Sequence, residues 1–159
     1  TLMIAENIYP RKKDKIVRHS QLMMSSFERL TGRTLLNTSP DTDIAQALFE
    51  AEFALVSHGI EADPIFNYGN YKALQLWELS WEEFTSMPSR KSAQELVQEE
   101  RNQLLSETTA KGFNNYSGVR ISSSGKHFYI EDGIIWNLLD TKNQYCGQAA
   151  MFSNYKFLE

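Results

Sequence analysis

Strand-like sequence occurs in two instalments in this chain, two runs before a helical block and three after it, and no other feature limits the fold as much. Phe53-Ala54-Leu55-Val56 is a short apolar run ended by Ser57-His58-Gly59, and Ile65-Phe66-Asn67-Tyr68 is a second, after Asp63-Pro64. With Gly59 in the turn between them, the two read as a hairpin. Asn70 then opens a helical stretch carrying Ala73, Leu74 and Trp77. Ser80-Trp81-Glu82-Glu83 is a capping box, in which the serine hydroxyl accepts from the third helical amide and the glutamate answers; Pro88 ends that helix. Ser92-Ala93-Gln94-Glu95 is a second capping box, opening a longer helix through Lys111, and Gly112 stands where a C-terminal stop is expected. The last third alternates. Residues 116–122 put Val119 and Ile121 on one side and Arg120 and Ser122 on the other, and Ser124-Gly125 is a hairpin signal. Residues 126–131 alternate again and run into residues 134–139, which are apolar on both sides, as in a strand covered on two faces. Residues 140–144 make a turn and residues 145–152 form a final strand rich in small residues.

Two strands, a helical block and three strands is the order of an α+β fold of PAS-like type: a five-stranded antiparallel sheet with helices on one face. The rest of the chain supplies the other cover. Residues 1–13 read as a polar N-terminal arm. From Asp14 to Leu30, Ile16, Met23, Phe27 and Leu30 recur at helical spacing, flanked by Val17 and Met24, and Gly32 closes the stretch. After a break at Asn37-Thr38-Ser39-Pro40, Asp41 or Asp43 starts a short helix with Ile44, Ala47 and Leu48. The expected division is therefore an arm (1–13), a helical cover (14–50) and the PAS-like domain (51–159), together one globular domain. Phe27-Glu28-Arg29-Leu30-Thr31-Gly32 reads like a segment that follows the second strand in many PAS domains, but here it precedes every strand and belongs to the N-terminal helix.

Several blocks, in order from about residue 45 to 152, resemble the MEKHLA domain family. They are Phe66-Asn67-Tyr68-Gly69-Asn70, the run from Leu79 through Phe84, Pro88-Ser89-Arg90, Gly118-Val119-Arg120-Ile121-Ser122, Trp136-Asn137-Leu138 and Gly147-Gln148-Ala149-Ala150. That family is PAS-like. It occurs alone in photosynthetic microbes and at the C-terminus of class III homeodomain–leucine zipper regulators of plants. The resemblance implies a non-catalytic sensory or regulatory module, in its standalone form, with no established ligand. This chain has neither homeodomain nor zipper, so DNA binding does not carry over.

Composition narrows the classes. The chain has 159 residues, 42% of them hydrophobic and 12% aromatic; a chain of this length buries roughly 70% of its unfolded surface. A net charge of −4 disfavours a general nucleic-acid binder, which needs a basic face. The one basic run, Arg11-Lys12-Lys13, reads as solvated. A single cysteine, Cys146, excludes an internal disulfide and any cysteine-rich zinc site. With no apolar stretch near the ~20 residues of a membrane span and no secretory leader, the expected location is cytoplasmic.

No chemistry-bearing constellation stands out. There is no Gly-x-Ser-x-Gly elbow and no glycine-rich phosphate loop. His19, His58 and His127 lack metal-ligand spacing, so no metal site is expected. Cys146 sits in the last strand, where a buried inert thiol is the simpler reading, whereas the photoactive flavin-binding PAS class carries its cysteine in the helical block. Haem-binding PAS proteins commonly use a histidine on the long helix, and residues 93–111 contain none. No cofactor is therefore specified. What remains is a set of amphipathic residues in the elements that wall a PAS cavity: Trp77, Trp81, Phe84, Arg90, Tyr116, Arg120, Trp136, Asn137 and Gln148. Apolar walls with a few fixed polar groups are how small-molecule pockets are built. An inward guanidinium needs a partner, which an acidic ligand or a buried carboxylate would provide. Alternation leaves open whether Arg120 or Val119 and Ile121 face the helices. Three functions follow: a module binding a small organic ligand or a protein partner, an interaction and dimerisation domain with a filled core, or a small enzyme with Arg120 on an anion and His58 or Tyr116 as acid–base. A homodimer through the N-terminal helix is expected from its apolar stripe.

Overall fold

In the computed structural model, which describes residues 13–93 and 98–158, the N-terminal helix α1 (Lys13–Thr31) is amphipathic and spends its apolar stripe on its own chain. Ile16, Met23, Met24 and Phe27 are buried. The helix lies on the outer sheet face, where Trp136 packs edge-on against Phe27 at 4.8 Å and donates its indole N–H to the Met23 carbonyl at 3.2 Å. The Ser26 hydroxyl accepts from the Leu139 amide at 2.9 Å. Residues 1–12 of the expected arm lie outside the described residues, as do Gln94 and Glu95 of the second capping box, and Lys13 belongs to α1. A short helix α2 (Ile44–Phe49) follows, capped by Asp43, whose carboxylate accepts from the Gln46 amide at 3.2 Å.

The sheet begins with β1 (Ala54–His58) and β2 (Phe66–Gly69), paired antiparallel as a hairpin. Helix α3 (Tyr71–Trp77) starts at Asn70, a buried N-cap whose side chain does more than cap. Its oxygen accepts from Ala73 and Leu55 amides (3.1 and 3.0 Å), and its nitrogen donates to the Leu48 and Phe53 carbonyls (3.0 and 2.8 Å). One residue thus ties α2, β1 and α3. Helix α4 (Trp81–Phe84) has the expected capping box, both bonds present at 3.1 and 2.9 Å. Gly69 lets it approach: a Cβ there would stand 2.7 Å from the Phe84 ring. After a single 3-10 turn (Ser89–Ser92) comes α5 (Gln98–Lys111). Ser92 donates to the Ser89 carbonyl at 2.7 Å, within that turn.

Strands β3 (Phe113–Ile121), β4 (His127–Leu139) and β5 (Tyr145–Phe152) complete an antiparallel sheet in the order β2-β1-β5-β4-β3. This is the five-stranded antiparallel sheet expected, with one addition: β6 (Asn154–Phe157) pairs with the first part of β4, at residues 128–131, beyond the reach of β5. Strand β3 also starts earlier than its alternation indicates. Asn114 and Asn115 are poor strand formers, but pairing with Ile135 and Ile134 holds them extended. Strands β1 and β5 and the second half of β4 are covered on both faces, by α1 outside and by α3–α5 inside.

Candidate functional site

The inner face divides into an aromatic end and a polar end. At the aromatic end, Trp77 meets Phe84, Phe128 and Phe152 at 5.9, 5.1 and 6.1 Å, and Phe84 stacks on Phe66 at 4.2 Å. All five side chains are buried. Trp77 and Phe84 therefore fill space here. Trp81 takes no part; it packs on Tyr68 and Phe49 toward α2. Trp136 points to the outer face and α1, since its neighbour Asn137 points inward and successive strand residues alternate. Arg90 lies at the rim, half-exposed, bonded through Nε to Asp63 at 3.0 Å.

The polar end gathers the rest. Asn137 donates to the Thr109 carbonyl at 3.2 Å, and the Gln148 amide nitrogen lies within reach of the Leu105 carbonyl, the Thr109 hydroxyl and Asn137 Oδ1 at 3.1, 3.1 and 3.2 Å. These bonds dock α5 on β4 and β5. Beside them Arg120 is turned inward and 3% exposed, its Nε donating to the Tyr116 hydroxyl at 3.2 Å and Nη1 to the Val119 carbonyl at 2.8 Å. The guanidinium also lies over the Tyr116 ring, 5.1 Å from its centroid. Gly118 makes room for this: it has φ +140°, and a Cβ would stand 3.0 Å from Arg120 Nη1. Tyr116, Gly118 and Arg120 alternate onto one face of β3, and the register shift opposite them takes up its extra residue on β4.

Arg101 on α5, absent from the sequence-based candidates, joins them. It is 7% exposed and donates to the Ser89 hydroxyl. Burial disfavours its charge; Tyr116 opposes this, and the positive charge of Arg120 adds to it. An arginine nonetheless stays protonated. Neither guanidinium forms an ion pair with a carboxylate among the described residues, whose ion pairs are Arg90–Asp63, Lys126–Glu78 and Lys156–Glu131. A sequence signal did exist. Arg101 occupies the first slot of a helical stripe continued by Leu104, Leu105 and Thr108, where a buried residue belongs.

His58, at the end of β1, completes the cluster. Its Nδ1 lies 3.0 Å from the Gly59 carbonyl, which can only accept, so Nδ1 carries the proton and Nε2 is an acceptor. Buried Nε2 has no partner in hydrogen-bonding geometry, although the Gln148 amide lies close enough to favour its protonation. Burial nevertheless lowers the pKa of His58 and keeps it neutral. His58, Arg101, Tyr116, Arg120 and Gln148 surround an inner cavity of about 30 Å³, room for about two waters. Arg101 and Arg120 also line a cleft of about 210 Å³ between α5 and β3, together with Leu104, Glu107 and Gly118. Cys146 stands apart, half-buried, its thiol 3.5 Å from the Leu138 carbonyl and its pKa raised by burial.

The chain matches the family model described as the MEKHLA domain over residues 17–157. No curated protein matches it. Among solved structures it is similar to the PAS domain of a protein from Colwellia psychrerythraea, with 16% identity, a TM-score of 0.60, and coverage of 72% of this chain and 92% of that one. It is also similar to an RNA-binding light-oxygen-voltage receptor, with 14% identity, a TM-score of 0.62, and coverage of 80% of this chain but 37% of that one. A PAS domain from a two-component sensor histidine kinase matches at 17% identity with a TM-score of 0.53, covering 71% and 91% of the two chains. These likenesses establish a PAS-like fold.

Proposed function

The chain belongs to the MEKHLA domain family, and on that footing we propose that it is a sensory or regulatory module that reports occupancy of the polar pocket beneath α5 by a small organic ligand. The observation that carries this is the convergence of Arg101, Arg120, Tyr116, His58 and Gln148 on one cavity. A core built only for stability has little use for two buried guanidiniums and an unsatisfied imidazole nitrogen. Ligand-driven change would act on α5, because Gln148 and Asn137 bond it to the sheet beside the pocket.

In this reading residues 14–50 are a cover belonging to the same domain as residues 51–159. Self-association through α1 would have to use its outer side, since the Ile16, Met23 and Phe27 stripe is buried on the chain's own sheet. Among the described residues no helix is long and apolar enough to cross a membrane, which fits a cytoplasmic module. Catalysis has less support: His58, Tyr116 and Arg120 line one cavity, but the Tyr116 hydroxyl already accepts from Arg120 and burial holds His58 neutral. The second reading, an interaction domain with a filled core, draws on the packed Trp77–Phe84 end.

Native mass spectrometry of the purified protein decides between the two readings. A bound small molecule, released on denaturation and lost in a variant of the pocket residues, supports the sensory reading. A protein of bare mass that also takes up no compound from a metabolite library favours the interaction domain.

A further inference from the structure

Arg101 and Arg120 are both buried on one pocket, and neither forms an ion pair with a carboxylate among the described residues, which leaves the arrangement incomplete. Each guanidinium satisfies part of its donor set on neutral groups: Arg101 on the Ser89 hydroxyl, Arg120 on the Tyr116 hydroxyl and the Val119 carbonyl. An arginine has five N–H donors and remains charged when buried, so donors are left over at both residues. Gly118, held at a left-handed φ, leaves the space that Arg120 Nη1 occupies. His58 lines the same cavity and presents a buried Nε2 with no hydrogen-bond partner among the described residues.

Building on the ligand-binding reading above, we infer that the pocket's ligand is a compact oxyanion, a carboxylate or phosphate head, held between Arg101 and Arg120. Its size follows from the space. The inner cavity of about 30 Å³ takes a head group and little else, while the rest of the molecule extends into the cleft of about 210 Å³ between α5 and β3. Charge fixes the remainder. Glu100 and Glu107 line that outer cleft, with the Glu107 carboxylate accepting from Gln103 and Asn114, so a second anionic group reaching outward is repelled. A carboxylate is planar and matches a guanidinium fork in two parallel bonds; a phosphate offers more acceptors to the pair. Neutral His58 accepts a hydrogen bond from a hydroxyl on the ligand or from a retained water.

The test is an NMR titration of the full chain, reading the Nε–Hε signals of Arg101, Arg120 and Arg90 at constant ionic strength. The probes are acetate, glycolate and inorganic phosphate, with acetamide as the neutral isostere of acetate. Saturable shifts at Arg101 and Arg120, absent at Arg90 and absent with acetamide, are expected, and the stronger probe identifies carboxylate or phosphate. Arg120→Gln is expected to weaken the better probe at least about tenfold, with Arg120→Lys intermediate and Arg90→Gln unchanged. If a variant does not fold, the titration of the unaltered chain decides alone. Equal shifts with acetamide, or no saturable shift with any anion, overturn the inference. A neutral ligand found in the pocket by native mass spectrometry would also overturn it, while leaving the sensory reading intact.

Discussion

Acid should loosen α1 from the sheet through one histidine. His19 projects from α1 onto β1, its Nε2 lying 2.7 Å from the Ser57 hydroxyl and its ring 5.9 Å from that of Tyr68. Ser57 in turn bonds to Asn67, donating to its side-chain oxygen, so His19 serves as the donor to Ser57. Burial, with a smaller contribution from Lys15 one turn away, lowers its pKa from 6.5 to about 4. The unfolded chain therefore binds the proton more readily than the folded one between those values. The contribution to stability is present above pH 6.5 and is lost as pH falls toward 4. With those two pKa values, the folded state loses about 2 kcal/mol between pH 7 and pH 5 from this group alone. His19→Gln keeps a neutral donor and removes the titration. Urea unfolding followed by tryptophan fluorescence at both pH values isolates the effect as a double difference, since the carboxylates and His58 contribute equally to both proteins. The unaltered protein should lose about 2 kcal/mol more than the variant. Matching losses in the two proteins, or a His19 resonance titrating near 6.5, would refute the reasoning.

Three further substitutions probe other parts of the architecture. Gly118→Ala places a Cβ 3.0 Å from Arg120 Nη1 at φ +140° and should destabilise by about 1–3 kcal/mol; denaturant unfolding measures the cost, and the Arg120 Nε–Hε signal should move. Asn70→Ala strands four backbone partners at once and should cost about 3 kcal/mol or more, read as a lowered urea midpoint or loss of the folded NMR spectrum. Trp136→Phe removes the bond to the Met23 carbonyl and should cost about 1–3 kcal/mol without altering anion titrations at Arg101 and Arg120, because the side chain lies on the other face of the sheet.

Local chemistry was legible in the residues, and contacts distant in sequence were not. The capping box at Ser80 and Glu83 needs partners only three residues away, so its residue types alone determine it, while of the two candidate caps Asp41 and Asp43 the structure uses Asp43. Periodicity likewise sets the two-plus-three strand order and the stripe of α1. The faces were different. Trp136 and Asn137 are neighbours in sequence and lie on opposite sides of the sheet; which side each takes depends on where α1 and α5 dock. Arg90 and Arg120 were equal candidates by type, but Asp63 holds one at the rim while the docking of α5 on β3 covers the face on which the other stands. Arg101 is the clearest case. Its place in the stripe with Leu104, Leu105 and Thr108 was readable, but its charge beside Glu99, Glu100 and Asn102 reads as solvated helix surface, and only the docking of α5 on β3 buries this residue alone of the four. Pairings within a turn are chosen by the chain itself. The face a side chain presents is chosen by the packing of segments far apart in sequence, and the site is made by that choice.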